Sequence, residues 1–339
     1  MDTVKQGDPE VAAEPGPTPA PRRSLRLPAH FASRYAIIGV WIAMAAIYTA
    51  KEGRLFFSWG IFHTIFSQQE SLVFMTMALL CTICVGEFVD LSVPAVFGFS
   101  ATVLPVLTVF HGWNVWLAAV VAVLAGVAAG AINAYLVVKV GVNTIVVTLG
   151  MSTLLEGLSL WISSDNTISG LPAGFQKFAT ANVFGLPIAF YYGVVLVLGF
   201  AYLLAFTPLG RHMRFVGASR EVSRLSGVRV NRIRFGSFVF AGLLAGLGAV
   251  ITVAHVGSYT ASTSDTNLLP VFASVFLGTA VIETGRFNAI GTWIAIYFLQ
   301  TGITGLQLLN GAVWIAPVFY GAVLVVAVTI STVLHRRSS

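Results

Sequence analysis

Apolar residues dominate long stretches of this chain, and short polar segments separate them. Most of these stretches approach or exceed the length of about 20 residues that a helix needs to cross a bilayer. The pattern predicts ten membrane-spanning helices, at 35–50, 71–86, 93–110, 115–138, 142–163, 188–206, 235–256, 268–283, 288–305 and 313–334. A shorter mixed segment, 55–67, is typical of an amphipathic helix lying at the membrane surface.

The composition supports a membrane protein. The chain is 57% hydrophobic and 9% charged, whereas a soluble domain carries about 25% charged residues. We therefore predict an all-α integral membrane protein, with one transmembrane domain over 31–335. Residues 1–30 hold many of the prolines and few apolar residues, which predicts a disordered cytoplasmic tail.

The basic residues indicate how the helices are oriented. Cytoplasmic loops of membrane proteins are enriched in lysine and arginine. An even number of spans puts both termini on one side. If that side is the cytoplasm, all 19 lysines and arginines lie there except Lys51, Arg54 and Lys177. The net charge of +6 therefore predicts orientation in the bilayer and not nucleic-acid binding.

The segment SREVSRLSGVRVNR, at 219–232, lies in the longest predicted cytoplasmic loop, 207–234. Ser219 is a favourable N-cap, and Glu221 falls in the first turn, where a carboxylate suits the helix dipole. Gly227 is a natural residue just after a helix end. These residues predict a helix of about two turns.

One face of this short helix is apolar. Val222 and Leu225 are three residues apart, so they lie on the same face, and Arg220 and Arg224 flank it. The pattern favours docking of the helix into a groove of another protein. Two other interpretations stay open: a loop that only fixes orientation, and a surface that binds acidic lipid headgroups.

The loop sequence TPLGRHMRFVGASREVSRLSGVRVNRIR resembles that of bacterial sugar ATP-binding-cassette (ABC) importer permeases of the ribose and xylose type. The matching positions are Thr207, Gly210, Arg211, Glu221, Arg224, Leu225, Ser226, Gly227, Val230 and Arg232. Four other segments resemble the same family in the same order: VDLSV at 89–93, GAINAYLVVKVGVNTIVVTLG at 130–150, AGLLAGLGAVI at 241–251 and LGTAVIETGRFNAIGT at 277–292. The resemblance spans about 70–334.

The resemblance implies a permease of the type II ABC-importer class in the bacterial inner membrane. It implies that the helix at 219–227 is the coupling helix, which docks into a separate ATPase subunit. The coupling residues are then Ser219, Arg220, Glu221, Val222, Arg224, Leu225 and Gly227. It also implies an extracytoplasmic solute-binding protein and a second permease copy, identical or paralogous.

Nothing in the sequence predicts catalysis or a cofactor on this chain. The phosphate-binding pattern G-x-x-x-x-G-K-[ST] is absent, so ATP and magnesium are expected on the partner ATPase. The histidines of the apolar region are isolated from one another, which argues against a membrane enzyme. Cys81 and Cys84 lie inside an apolar run and are expected to be small packing residues, not a redox pair.

Four polar residues at membrane depth are candidates for the substrate pathway: Glu87, Asp90, Asn133 and Glu156. Each could instead be structural, as a helix cap or a bond between helices. A further acid, Glu283, is expected to pair locally with Arg286. So few charges favour a neutral monosaccharide or sugar alcohol as the solute. The alternative is a proton-coupled secondary transporter that uses Glu156 or Asp90 as its carrier.

Overall fold

The computed structural model describes residues 29–53, 56–283, 285–312 and 314–338. Within these ranges most residues are helical, which agrees with the predicted all-α class. Nearly all of the predicted disordered tail, 1–30, lies outside the described residues, as does Arg54. The structure therefore bears on the predicted helices from residue 29 onward.

The helices follow the apolar runs closely. In chain order they are α1 Ala29–Glu52, α2 Trp59–Ser67, α3 Glu70–Ile83, α4 Val93–Pro105, α5 Val115–Ala134, α6 Thr144–Ser163, α7 Ala173–Thr180, α8 Ile188–Phe206, α9 Pro208–Ala218, α10 Arg220–Leu225, α11 Val230–Val256, α12 Leu268–Gly278, α13 Ala289–Asn310 and α14 Ile315–Ser338. Helices α4 and α5 continue as wider π-helical turns, Val106–Phe110 and Tyr135–Val140. The amphipathic segment predicted at 55–67 corresponds to α2.

Six of the described helical stretches are long and apolar enough to cross a bilayer. They are Val93–Phe110, Val115–Val140, Thr144–Ser163, Ile188–Phe206, Val230–Val256 and Ala289–Leu309. The predicted count of ten is not confirmed. Helices α3, with 14 residues, and α12, with 11, extend only about 21 and 16 Å at 1.5 Å per residue, which is shorter than the hydrocarbon core of about 30 Å.

The ends of several helices are specified by local sequence. Asn114, Asn143 and Asn288 each stand just before a helix and accept a hydrogen bond from a backbone N–H of its first turn, at 2.9, 2.9 and 2.6 Å. Such caps satisfy donors that the helix itself cannot pair. Gly257 ends α11 in the left-handed conformation, with φ of 79°, which a glycine adopts without strain.

Helix α11 runs through the centre of the bundle and packs against α3, α4 and α5. Its contact with α5 is close because small residues face each other. A Cβ atom added to Gly242 would collide with the carbonyl of Gly126, and one added to Gly130 would collide with that of Phe238. The small-residue faces thus permit close helix packing, as expected for membrane helices.

The bundle has two ends. At one end the loop 207–234 meets the segment 84–92, which joins α3 to α4, and the start of α6; we call it the basic end. At the opposite end, β1 (Ile168–Ser169) pairs antiparallel with β4 (Ser258–Tyr259). The hairpin β2 (Asn182–Val183) and β3 (Leu186–Pro187) lies at this end too.

Candidate functional site: the basic end

Two short helices, not one, form the loop at the basic end. Thr207 caps α9 by accepting a hydrogen bond from the N–H of Gly210, at 3.1 Å, and α9 then runs to Ala218. Ser219 is extended, and its Oγ accepts a hydrogen bond from Val222 N–H at 3.3 Å. The chain therefore turns sharply between α9 and α10, which the sequence pattern did not predict.

Helix α10 presents its apolar residues outward. Val222 is 50% exposed and Leu225 is 80% exposed, although leucine is among the residues most often buried. Gly227 follows the helix with φ of +80°, a conformation that favours glycine. The short capped helix expected from the sequence is therefore present, and its apolar face is uncovered in this chain.

A cavity of about 560 Å³ lies beside α10 and the start of α11. Arginine dominates its lining, which includes Arg220, Arg224, Arg229, Arg232 and Arg234, together with Glu221. The positive charge of the loop is therefore concentrated around one concave surface. A partner that covers this surface has to bring acidic groups to it.

Glu87 connects the loop to the helix bundle. It is only 3% exposed, and its Oε1 accepts hydrogen bonds from Arg220, at 2.8 Å, and from Arg234 Nε, at 2.6 Å. Its Oε2 accepts one from Thr144 Oγ1 at 2.6 Å, and the carbonyl of Gly86 accepts a second bond from Arg220 at 2.9 Å. One buried carboxylate thus binds residues at or near the starts of α10, α11 and α6.

Close contact between two backbone segments strengthens this connection between the loop and the helix bundle. A Cβ atom at Gly217, in α9, would collide with the carbonyl of Cys84, and one at Gly86 would be 3.5 Å from the Gly217 backbone. Arg214, also on α9, pairs with Glu283 at 3.7 Å. The expectation that Glu283 pairs with Arg286 was therefore wrong, because α9 brings Arg214 to the carboxylate.

Asp90 and Asn133, two of the pathway candidates, meet in a buried network, as their structural alternative would have it. Asp90 Oδ1 accepts hydrogen bonds from Ser92 N–H, at 3.1 Å, and from Ser92 Oγ, at 2.6 Å, and Asn133 Nδ2 donates to Ser92 Oγ at 2.8 Å. The cavity beside them is about 10 Å³, room for one water at most, so it cannot hold a solute in this conformation.

Glu156 lies apart from these residues. It is on α6, towards the opposite end, where its side chain interacts with that of Asp265, in the segment between β4 and α12. The four pathway candidates therefore do not converge. Glu87, Asp90 and Asn133 lie towards the basic end, and Glu156 does not.

Several residues that bind Glu87 were not identified as functional candidates from the sequence. Arg234 and Thr144 bind Glu87 from 147 and 57 positions away, so no local pattern connects them. A signal for Glu87 itself existed, since an acid next to apolar membrane segments is a candidate functional residue. Cys81, fully buried, donates to the carbonyl of Met77 at 3.2 Å, as expected of a packing residue.

Comparisons with known proteins agree with the sequence resemblance. Residues 61–328 match the family described as "Branched-chain amino acid transport system / permease component". The chain is 32% identical over 282 residues to the autoinducer 2 import system permease protein LsrD of Yersinia pestis (strain Pestoides F), covering 80% of this chain and 84% of that protein. The LsrD protein of Yersinia pseudotuberculosis serotype O:3 (strain YPIII) matches to the same extent. No solved structure matches the chain.

Proposed function

Because the chain belongs to the family of branched-chain amino acid transport system permease components, we propose that it imports a small neutral solute, a monosaccharide or a sugar alcohol. It is the membrane subunit of an ABC importer. A separate ATPase subunit binds ATP and magnesium, a solute-binding protein delivers the solute from outside, and a second permease copy completes the pathway. Similarity to proteins named for autoinducer 2 import makes that compound a candidate solute.

The uncovered apolar face of α10 is the observation that carries this proposal. Val222 and Leu225 point away from the bundle on a helix whose other residues are polar, and an arginine-lined cavity lies beside them. A groove with an apolar floor and an acidic rim on the ATPase would match both features. We therefore assign α10 and its capping residues, Ser219 to Gly227, as the coupling helix.

Glu87 gives the coupling helix a rigid connection to the membrane helices. Arg220 begins α10, Thr144 begins α6, and Arg234 lies near the start of α11. All three bind the same carboxylate. A displacement of α10 by the ATPase is therefore transmitted to the starts of two long helices. On this account Glu87 belongs to the coupling machinery and not to the solute pathway.

The proposed orientation places both termini and the basic end in the cytoplasm, where ATP is available. The distribution of lysine and arginine supports it, since only Lys51, Arg54 and Lys177 then lie outside. The polar residues at membrane depth also support a neutral solute. Glu87 is paired with two arginines, which removes one of the few acids at this depth as a charge that could bind an ion.

The proposal predicts that changes in α10 weaken ATPase binding without affecting membrane insertion. Gly227→Val places a β-branched residue in a left-handed conformation, which costs roughly 1–2 kcal/mol. Glu221→Lys removes a first-turn acid worth about 0.3–1 kcal/mol and adds a cation to a basic surface. Both variants should retain less ATPase in a pull-down and should import less solute, each normalised to permease abundance.

Lys177→Ala, on the opposite end and exposed, is the matched control and should behave as the unaltered chain. The same uptake assay separates this function from a proton-coupled carrier, because vanadate blocks the first and an uncoupler blocks the second. If both α10 variants bind the ATPase and import solute normally, the loop only fixes orientation and the coupling role is excluded.

A further inference from the structure

A cavity of about 680 Å³ opens at the opposite end of the bundle. Its walls come from the starts of α3, α12 and α14 and from the end of α13. Five of its lining side chains are carboxamides: Gln68, Gln69, Asn267, Gln300 and Gln307. Pockets that bind small molecules are commonly about 300–1,000 Å³, so this cavity has the size of a ligand site.

Gln69 places its side-chain amide at the wall of this cavity. The residue as a whole is 5% exposed, and among the described residues its amide has no hydrogen-bond partner. The amide atoms are not sealed from solvent. The amide is therefore available to bond to water or to a solute that enters the cavity.

The lining selects against charged ligands. Among the residues that the structure describes, no lysine or arginine lines the cavity, and the one acid in its lining, Asp265, is exposed and interacts with Glu156. An anion would find no cation, and a cation would find no buried carboxylate. A carboxamide both donates and accepts hydrogen bonds, as a hydroxyl group does, and Leu72 and Leu269 supply apolar wall for C–H faces.

We propose that this amide-lined cavity binds a neutral polyhydroxylated solute as it enters the permease. The inference rests on the proposed function, because the orientation given above makes this the outer end, where a binding protein releases its solute. Gln69 and Gln300 hold hydroxyl groups by hydrogen bonds, and Asn267 and Gln307 line the entrance. The cavity is distinct from the network of Asp90 and Asn133 near the basic end.

The test uses protection of an introduced thiol. Gln307→Cys is placed in the full-length permease in lipid nanodiscs and labelled with a polar maleimide; Cys81 and Cys84 are both buried. The probes are D-ribose and ribitol, which are neutral, D-ribose 5-phosphate, which is anionic, and D-glucosamine, which is cationic. We expect the neutral probes to slow labelling and the charged ones to leave it unchanged.

Two further variants assign the protection to the amides. Gln69→Leu and Gln300→Leu, each in the Gln307→Cys background, preserve approximate size and remove the polar groups. Each should raise the probe concentration for half-maximal protection by about fivefold, the loss expected for one hydrogen bond. A cysteine at Asn182, exposed at the same end but outside the cavity, is the control and should show no protection.

Three results would overturn the inference: no protection by either neutral probe, equal protection by the charged probes, or unchanged protection in both leucine variants. Each result is separable from failure of the importer proposal, because ATPase binding depends on the basic end and is measured by pull-down. A permease that binds its ATPase but shows no protection would retain the proposed function without this site.

Discussion

Glu87→Gln is expected to reduce solute uptake at least tenfold in a permease that still inserts in the membrane. The glutamine keeps the size of the side chain but leaves Arg234, only 14% exposed, beside a neutral group. Removing one partner of a buried ion pair costs about 3–5 kcal/mol. Because Arg220 is partly exposed and can be hydrated, we expect the lower part of that range. Thermal unfolding in detergent and uptake per permease would measure both effects.

Glu283→Gln is the matched control, because the pair of Glu283 with Arg214 is longer, at 3.7 Å, and about one-third exposed on each side. Such a pair contributes at most about 1 kcal/mol. The double variant Glu87→Leu with Arg234→Leu separates stability from coupling. It should recover much of the lost stability, since apolar residues often replace a buried pair without cost, but uptake should stay low because α10 is no longer held. If Glu87→Gln and Glu283→Gln lowered uptake and stability equally, the proposal that Glu87 connects α10 to the membrane helices would be excluded.

Gly217→Val is expected to detach α9 and α10 from the rest of the helix bundle. The Cβ of a valine at 217 would collide with the backbone carbonyl of Cys84. Because that oxygen is part of the backbone, the collision is relieved only if a whole helix shifts. Overpacking of this kind costs about 1–3 kcal/mol. Trypsin should therefore cleave the arginine-rich loop roughly tenfold faster, as an opening cost near 1.4 kcal/mol implies, and uptake should fall.

Gly236→Val provides the comparison for this change. Gly236 lies on α11, six residues after its start at Val230, and a Cβ there has no neighbour within 4 Å. Trypsin cleavage and uptake should stay close to those of the unaltered chain. If both valine variants are cleaved at the same rate, close packing of α9 against the end of α3 does not hold the loop in place.

The sequence predicted most of the long helices correctly but overestimated the length of two short ones, α3 and α12. Runs 71–86 and 268–283 are largely apolar, yet α3 ends at Ile83 and α12 at Gly278. Val85 and Val281, beyond those ends, are fully buried without being helical. Hydropathy reports burial and not backbone conformation, so it cannot locate a helix end inside a buried segment.

Helix α10 was predictable because its signals are local. Ser219, Glu221 and Gly227 lie within nine residues, and each acts on the backbone nearest to it. The partners of Glu87 and the residues of the amide-lined cavity are different, because tertiary packing alone brings them together. Gln69 and Gln300 are far apart along the chain, and neither has a sequence context that indicates a site.

Contact between α10 and an ATPase subunit is the central claim, and photo-cross-linking tests it most directly. A photoreactive amino acid is placed at Leu225, whose side chain is 80% exposed, and, as a control, at Lys177 on the opposite end. Irradiation of intact cells should cross-link position 225 to an ATP-binding subunit, with less product when Glu221→Lys is also present, and position 177 should give no such product. Absence of an ATPase product at 225, or its appearance at 177, would contradict both the coupling role and the proposed orientation.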